Sequence, residues 1–428
     1  MKISKLYIEQ FRHLENLDFD FTYPEDFHIE EKRGKPLDKI CFIGQSATGK
    51  TSLLELIYDR INSLDNLKKI RSNQIMTFGP HPKLAVELEF VSNAHSYKYY
   101  KSGIYIDDEN FEFYDGNFSG TYQNLIENTN EKIIHIASEI LSKENIKLFE
   151  DDAIILIEKY KNTKSKIGNL KRENIILNEN IEESVWLTIL EENINYVQNF
   201  LQFASELINS GSILDSNSQK KVDYWKSQNI NPLIDFSNKF NTVLEKINLE
   251  VDLVNTKNII PLKHKITNEN IPISNISTGT KQLLLTAFPL FKLESKDSII
   301  LIDEPERSLY PDMQMDLMDY YKKLVPEAQF IVATHSPFIA ASFEPDERFI
   351  LYFDDEGKVT VRRGSSPIGD DPNDMLKNDF GVNYYNKHGE EAYQKYISLK
   401  QEVANETDPK RKKELLLETV KLGDTYNF

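Results

Sequence analysis

A single cysteine among 428 residues removes two kinds of explanation at once. Cys41 has no partner for an internal disulfide, and no cysteine-based metal site can be assembled. No apolar run approaches the ~20 residues that span a bilayer. The opening Met1-Lys2-Ile3-Ser4-Lys5-Leu6 carries no apolar signal core. Positive charge is also short: 51 Lys and Arg stand against 68 Asp and Glu, a net charge of −17. That balance argues against a globally basic nucleic-acid binder and leaves room only for a local basic strip. No heptad is sustained over several repeats, so a stiff coiled coil is not expected. What remains, 40% hydrophobic and 28% charged, is the composition of a soluble globular protein of about three units. Cytoplasmic residence without a membrane partner is the expectation.

Against that background one nine-residue segment stands out. Gly44-Gln45-Ser46-Ala47-Thr48-Gly49-Lys50-Thr51-Ser52 follows the apolar run Ile40-Cys41-Phe42-Ile43 and opens a helix with Leu53, Leu54, Ile57 and Ile61 on one face. It has the form of a phosphate-binding loop. Its glycines let backbone N–H groups curl around phosphate oxygens, Lys50 reaches the β- and γ-phosphates, and the Thr51 hydroxyl ligates Mg²⁺. ATP with Mg²⁺ is the implied ligand pair.

Far downstream lie the matching carboxylates. Ile299-Ile300-Leu301-Ile302 has no polar interruption, as in a parallel strand buried on both faces, and delivers Asp303 and Glu304 at its C-terminal end. In open α/β sheets ligands bind at that edge. Phe330-Ile331-Val332-Ala333 ends the same way. It delivers His335 just before a helix that Ser336 would cap and Pro337 would start. Paired acids could also serve metal-dependent nuclease chemistry, but at a strand end opposite a phosphate loop they read as a Walker B pair.

The spacing carries the resemblance. Between Lys50 and Asp303 lies Ser277-Thr278-Gly279-Thr280-Lys281-Gln282, a Ser/Gly loop that small phosphate-loop enzymes have no reason to carry. With Ser308-Leu309-Tyr310-Pro311 as a D-loop and His335 as a switch histidine, the chain resembles the soluble branch of ATP-binding-cassette ATPases that includes RecF, SMC, Rad50 and OLD-type heads. The resemblance implies an α/β fold: an ABC-ATPase head, a P-loop NTPase with a mixed sheet and an antiparallel β lobe, carrying a helical insertion and a C-terminal helical hairpin. It further implies that Asp303 and Thr51 hold the metal, Glu304 is the general base, and His335 orients the γ-phosphate and water. Arg12, in a Phe-Arg turn after the first strand, would approach the nucleotide; an ordinary surface arginine is the other reading. Ser277 and Gly279 would cap the γ-phosphate bound to the opposite subunit, so that two copies form a homodimer around shared ATP, with higher oligomers open. Thr280 replaces the usual Glu or Gln of that signature, and Tyr310 the His common in the RecF and OLD branch.

The expected organisation is an N-terminal lobe over 1–121, a helical insertion over 122–250 forming a short arm or compact bundle, a C-terminal lobe over 251–368 and a helical tail over 369–428. Alternation of Val86, Leu88, Phe90, Tyr97, Tyr99, Ile104 and Ile106 predicts an antiparallel lobe. Alternation at Leu249, Val251 and Leu253 predicts a return to the sheet, and 369–374 is expected to break regular structure. Tail helices are expected over 389–404 and from Asp408 to near Gly423. Lys159, Lys161, Lys164, Lys166, Lys171 and Arg172 form the most basic strip, either a solvated face or a DNA backbone contact. The family's Mg²⁺-facing glutamine would be Gln74 or Gln123. Nothing after residue 343 resembles a nuclease, so the effector, a nuclease, would be encoded separately, as in the anti-phage systems Septu and PARIS that this architecture is similar to. A repair or chromosome clamp of the RecF kind, a poorly hydrolysing nucleotide-locked scaffold and a transporter ATPase subunit are the competing readings.

Overall fold

The computed structural model describes residues 1–68, 85–92, 95–100, 103–107, 109–114, 117–118, 131–163, 174–211, 217–293, 295–369, 371–382 and 387–426. The chain divides into two compact units, Met1–Gly369 and Asp370–Phe428. Among the described residues, no helix is long and apolar enough to cross a membrane.

The first unit opens with β1 (Lys2–Phe11) and β2 (Leu14–Asp20), paired antiparallel. In β2, Leu14, Leu17 and Phe19 point inward and Asp18 and Asp20 outward, the alternation of a half-buried strand. β3 (Lys39–Gly44) is buried through its centre and leads through the phosphate loop into α1 (Lys50–Lys68). A meander follows: β4 (Ala85–Ser92), β5 (His95–Tyr100), β6 (Gly103–Ile106), β7 (Glu109–Tyr114) and β8 (Asn117–Phe118). Together these give an antiparallel sheet in the order β2-β1-β4-β5-β6-β7-β8, the expected lobe.

The expectation of a helical insertion over 122–250 needs correction. β9 (Ile133–Ile136) and β10 (Ile175–Leu177) lie within it, separated by α2 (Lys143–Glu150) and α3 (Ala153–Thr163), and both belong to the central sheet. A four-residue apolar run cannot be told from a buried helical turn by periodicity; pairing with a strand more than 160 residues away decides it. The helices that follow are α4 (Glu183–Ile189), α5 (Glu191–Asn209), α6 (Ser218–Gln228) and α7 (Leu233–Leu244). They pack closely: Trp186 is fully buried against Phe149, ring centroids 5.2 Å apart, and donates Nε1–H to Asn145 Oδ1 at 2.9 Å. β11 (Leu249–Val251), β12 (Leu262–His264) and β13 (Asn270–Ile271) then form a small sheet of their own instead of rejoining the main one.

The catalytic half follows as α8 (Thr278–Lys292), β14 (Ile299–Asp303), α9 (Pro311–Met315), α10 (Leu317–Leu324), β15 (Gln329–Thr334), α11 (Pro337–Ala340) and the hairpin β16 (Arg348–Phe353) with β17 (Val359–Arg363). Phe288 of α8 packs edge-on against Phe236 of α7 at 5.0 Å, seating the helical bundle on this half. The central sheet runs β10-β9-β14-β15-β3-β16-β17, every neighbouring pair parallel except β16 with β17. β14 and β15 are buried at every position, as uninterrupted apolar runs in a covered parallel sheet require.

The second unit holds α12 (Pro372–Asn378), α13 (Lys387–Asn405) and α14 (Pro409–Tyr426). Where 369–374 was expected to be irregular, Asp371 caps α12 by accepting from the Asn373 N–H, with Pro372 in the first turn. α14 continues past Gly423, the expected stop, to Tyr426; a helical glycine is tolerated at a modest cost. Leu415 is buried while Leu416, Leu417 and Val420 are exposed.

The basic strip is partly neutralised. Lys159 lies 3.0 Å from Asp151 and 2.5 Å from Glu183, a paired cation and not a free phosphate contact. Lys164, Lys166, Lys171 and Arg172 lie outside the described residues, as do Gln74 and Gln123.

Two sheets of different type share one core, in which Phe19 and Phe21 from the antiparallel lobe meet Phe42 and Phe349 from the parallel sheet with centroids 5.0–6.1 Å apart. Gln329 stitches them at one end. Fully buried, it accepts the Ile3 N–H at 2.7 Å and donates to the carbonyls of Ile3 at 3.0 Å and Leu37 at 2.8 Å. It thereby satisfies β1 where its pairing with β4 shifts register between Ile3 and Lys5. Gln329→Leu is expected to strand three buried backbone groups and lower stability by about 3 kcal/mol. Urea unfolding should show a lower midpoint at unchanged slope.

Candidate nucleotide site

The site begins with a close approach of two backbones. A Cβ at Gly44 would sit 2.4 Å from the Leu351 carbonyl of β16, so only glycine lets β3 end there. The loop then turns through left-handed residues, Ala47 at φ 68° and Gly49 at φ 92°. Thr48 holds the turn by donating Oγ1–H to the Gln45 carbonyl at 2.8 Å. The loop runs into the N-terminus of α1, where free N–H groups and the helix dipole favour an anion. Gln45, Ser46 and Thr51 are exposed at this rim, and Ser52 is half-buried beside them.

Lys50 folds back over the loop, donating to the carbonyls of Gly44 at 2.8 Å and Gln45 at 3.0 Å. It is buried, and burial pushes its ammonium down to about 8 against the opposing pull of Asp303, Glu304 and Glu306. Thr51 donates Oγ1–H to Asp303 Oδ2 at 2.9 Å. Burial raises the Asp303 carboxyl to about 6, with the Thr51 bond working against the rise and the Glu304 and Glu139 charges adding to it. Thr51 and Asp303 thus present adjoining oxygens at the mouth of the phosphate loop. A hard divalent cation prefers such a donor set, so these residues fit the implied Mg²⁺.

Glu304 follows in a left-handed conformation, φ 46°, its N–H donating to the Ala333 carbonyl at 2.9 Å. Such a backbone is costly for a non-glycine residue and concentrates at functional sites. His335 emerges exposed from the end of β15; burial of part of its ring, then the Lys50 charge, depresses its imidazole below the usual range. Ser336 caps α11 by accepting from the Phe338 and Ile339 N–H groups, with Pro337 first in the helix, as its sequence predicts. Lys50, Thr51, Asp303, Glu304 and His335 are therefore brought to one sheet edge.

Arg12 comes close from the side. At φ 56° in the β1–β2 turn, it donates Nη1–H to Ser52 Oγ at 2.8 Å and to Glu55 Oε2 at 2.6 Å, which sets its guanidinium beside the first turn of α1. Ser277 and Gly279 occupy a different setting. Ser277 is exposed and caps α8, accepting from the Thr280 N–H at 3.2 Å. Gly279 is buried under the D-loop: a Cβ there would meet the Ser308 carbonyl at 2.2 Å. That glycine is demanded by packing within its own chain.

Several residues beside the site carried no sequence signal. His13 presses its Nε2 to within 3.1 Å of where a Gly49 Cβ would stand. Glu139 follows β9, the strand beside β14, and its charge reaches Asp303. Glu306 accepts the His335 N–H at 2.8 Å, and Arg307 donates Nη1–H to the Ser138 carbonyl at 3.0 Å.

Residues 1–340 match the family described as AAA ATPase domain. The chain belongs to this family. It is an ATPase. This AAA ATPase domain is also similar, at 33% identity over 72 residues, to the Septu protein PtuA of Bacillus thuringiensis, a match covering 17% of this chain and 18% of that protein. The chain thus spans less than a fifth of the length of this curated relative. Similar solved structures include an SMC head bound to the C-winged helix domain of ScpA, at 15% identity over 85% of this chain and 98% of that chain with a TM-score of 0.40. The SMC head domain from Thermotoga maritima is another, at 13% identity over 85% and 100% with a TM-score of 0.39.

Asp303, at about 6, takes up a proton as the medium is acidified and then offers no anionic oxygen. Mg²⁺-dependent nucleotide binding by this AAA ATPase domain is expected to weaken by roughly tenfold between about pH 7 and about pH 5. Asp303→Asn should bind weakly throughout and show no such limb. A flat profile in the native chain, read by nucleotide binding at several Mg²⁺ concentrations, would count against Asp303 as the metal-facing carboxylate.

Proposed function

We propose that two copies of this ATPase close around two ATP molecules and that the closed dimer controls a separately encoded effector, a nuclease, in bacterial anti-phage defence. The observation that carries the nucleotide half is the Thr51 to Asp303 hydrogen bond at the mouth of the loop that Lys50 spans. Ser277, exposed at the N-terminus of the fifteen-residue helix α8 that it caps, supports the dimer half, because an exposed helix N-terminus suits the terminal phosphate of a partner's nucleotide. Tyr310, 74% exposed in the same D-loop that packs on Gly279, offers an aromatic surface that a second copy would cover. The 72-residue likeness to a Septu protein supports the defence setting, and the cytoplasm is its proposed place.

In this reading the loop from Gly44 to Ser52 cradles the phosphates with its backbone, and Lys50 exchanges its own loop carbonyls for phosphate oxygens. Thr51 and Asp303 would hold Mg²⁺, which when bound neutralises phosphate charge. Glu304 accepts a proton from the attacking water as general base, and His335 orients that water and the γ-phosphate. Arg12, already at the first turn of α1, lies close enough to add a cation. Ser277 and Gly279 cap the terminal phosphate across the interface. Once hydrolysis removes it the two copies lose their shared ligand, making ATP a reversible clamp.

Glu304→Gln is expected to retain ATP binding, to lose roughly a hundredfold or more in turnover, and to accumulate as an ATP-dependent dimer. Phosphate release and size-exclusion scattering read the two effects. Native turnover in this variant would sink the assignment of the base, and a monomer with bound Mg²⁺-ATP would sink the clamp. Purification from the native operon tests the effector: a co-purifying nuclease supports the defence reading, and a permease in its place overturns it.

A further inference from the structure

The turn that leaves β14 is fastened on both sides. Its own backbone closes with the Arg307 N–H on the Glu304 carbonyl at 3.1 Å and the Leu309 N–H on the Glu306 carbonyl at 2.9 Å. β14 lies between β9 and β15 in the sheet, and the turn reaches toward both. Toward β9, Arg307 donates to the Ser138 carbonyl at 3.0 Å. Toward β15, the Glu304 N–H donates to the Ala333 carbonyl, and Glu306 Oε1 accepts the His335 N–H at 2.8 Å. Glu306 Oε2 is shut away from solvent, and burial disfavours the charge on this carboxylate, opposed first by the His335 N–H and then by the Glu306 N–H and the Thr334 hydroxyl. A carboxylate buried in this way is costly unless its bonds are needed.

We propose that Glu306 is a positioning residue of the ATPase: its carboxylate fixes the His335 backbone relative to Glu304, so that base and switch histidine face the γ-phosphate as one unit. Ser336, the residue after His335, is tied separately, donating its N–H to Thr334 Oγ1 at 2.9 Å and its hydroxyl to Gln314 Oε1 at 2.6 Å, and the His335 peptide itself is held by Glu306. His335 stands just beyond the last residue of β15, past the ladder pairs that hold Ala333 to Asp303 and Thr334 to Ile43. Its N–H is spent on Glu306, and the side chain is exposed at the end of that tether. Losing the acceptor would free the segment by the one peptide that carries the imidazole. Since misplacement of a catalytic group by about 1 Å costs on the order of a hundredfold in rate, the effect should fall on turnover and not on nucleotide affinity.

What matters on this account is an acceptor at the right reach, not a charge. Glu306→Gln keeps an oxygen at the same distance and should hold kcat within about threefold of the native chain. Glu306→Asp keeps the charge but falls short by one methylene; its kcat should drop by about tenfold or more with KM for ATP changed less than about twofold. Combining Glu306→Asp with His335→Ala should cost no more than about twofold beyond His335→Ala alone, because both act through one group. An active Asp variant beside an impaired Gln variant would overturn the proposal, as would full multiplication of the two losses. Glu306→Gln preserves the shape of the side chain and should keep the native thermal midpoint, while Glu306→Asp, one methylene shorter, should lose a few degrees and still be folded at the assay temperature, which excludes misfolding as the cause. The proposal rests on His335 acting at the nucleotide, and His335→Ala alone separates the failures. Unchanged turnover there sinks the switch role and this inference with it. Lost turnover there, with native rates in both Glu306 variants, sinks this inference alone.

Discussion

The hydrogen bond between the Thr51 hydroxyl and Asp303 spans the whole logic of the site. Asp303 ends β14, whereas Thr51 stands in the first turn of α1, the helix that follows β3, and β15 lies between β14 and β3 in the sheet. For the bond to form at 2.9 Å, all three strands must run parallel and end at the same level. The ladder supplies this, setting Asp303 opposite Ala333 and Thr334 opposite Ile43. The phosphate loop then crosses the end of β15 to bring the first turn of α1 over the Walker carboxylate. Burial drives Lys50 down and Asp303 up. Desolvation therefore outweighs the attraction between the loop lysine and its acids.

Two glycines show how the motif loops are held. Gly44 passes under the carbonyl of Leu351 and Gly279 under that of Ser308, each at a distance no Cβ could occupy. Both are places where one loop is positioned by another loop's backbone. For Gly279 this is independent of any phosphate: the signature segment and the D-loop of one chain are packed together before a second copy is considered. A role across a dimer interface would be added to that packing.

Much of the site was legible because its chemistry is local. A phosphate loop needs glycines, a lysine and a hydroxyl within nine residues, and the uninterrupted runs at 299–302 and 330–333, each followed at once by polar site residues, read as strands covered on both faces. The cap at Ser336 and the antiparallel lobe were legible for the same reason, since each is a short-range pattern. β9 and β10 were not. Their short runs are compatible with a helix, and only pairing makes them strands: β9 with β14 across more than 160 residues, and β10 with β9 in turn. The three-stranded sheet around residue 249 and the continuation of α14 past Gly423 were misread as well, and the helix after Asp371 was missed although its cap and first-turn proline are local signals.

The sequence by itself determined that the chain carries a phosphate-loop motif, that its acids sit at a strand end, and that the protein reads as an ATPase. Those conclusions depend on residue type and short spacing, which no packing can alter. Only the tertiary structure decided which other groups border the phosphate loop and the carboxylates: His13 against Gly49, Glu139 within reach of Asp303, Glu306 tethering His335, and Arg307 bracing the loop after β9. Each of these contacts joins segments whose separation along the chain bears no relation to their distance in space. Their placement follows from strand order and register, and a single sequence does not encode strand order in any local pattern.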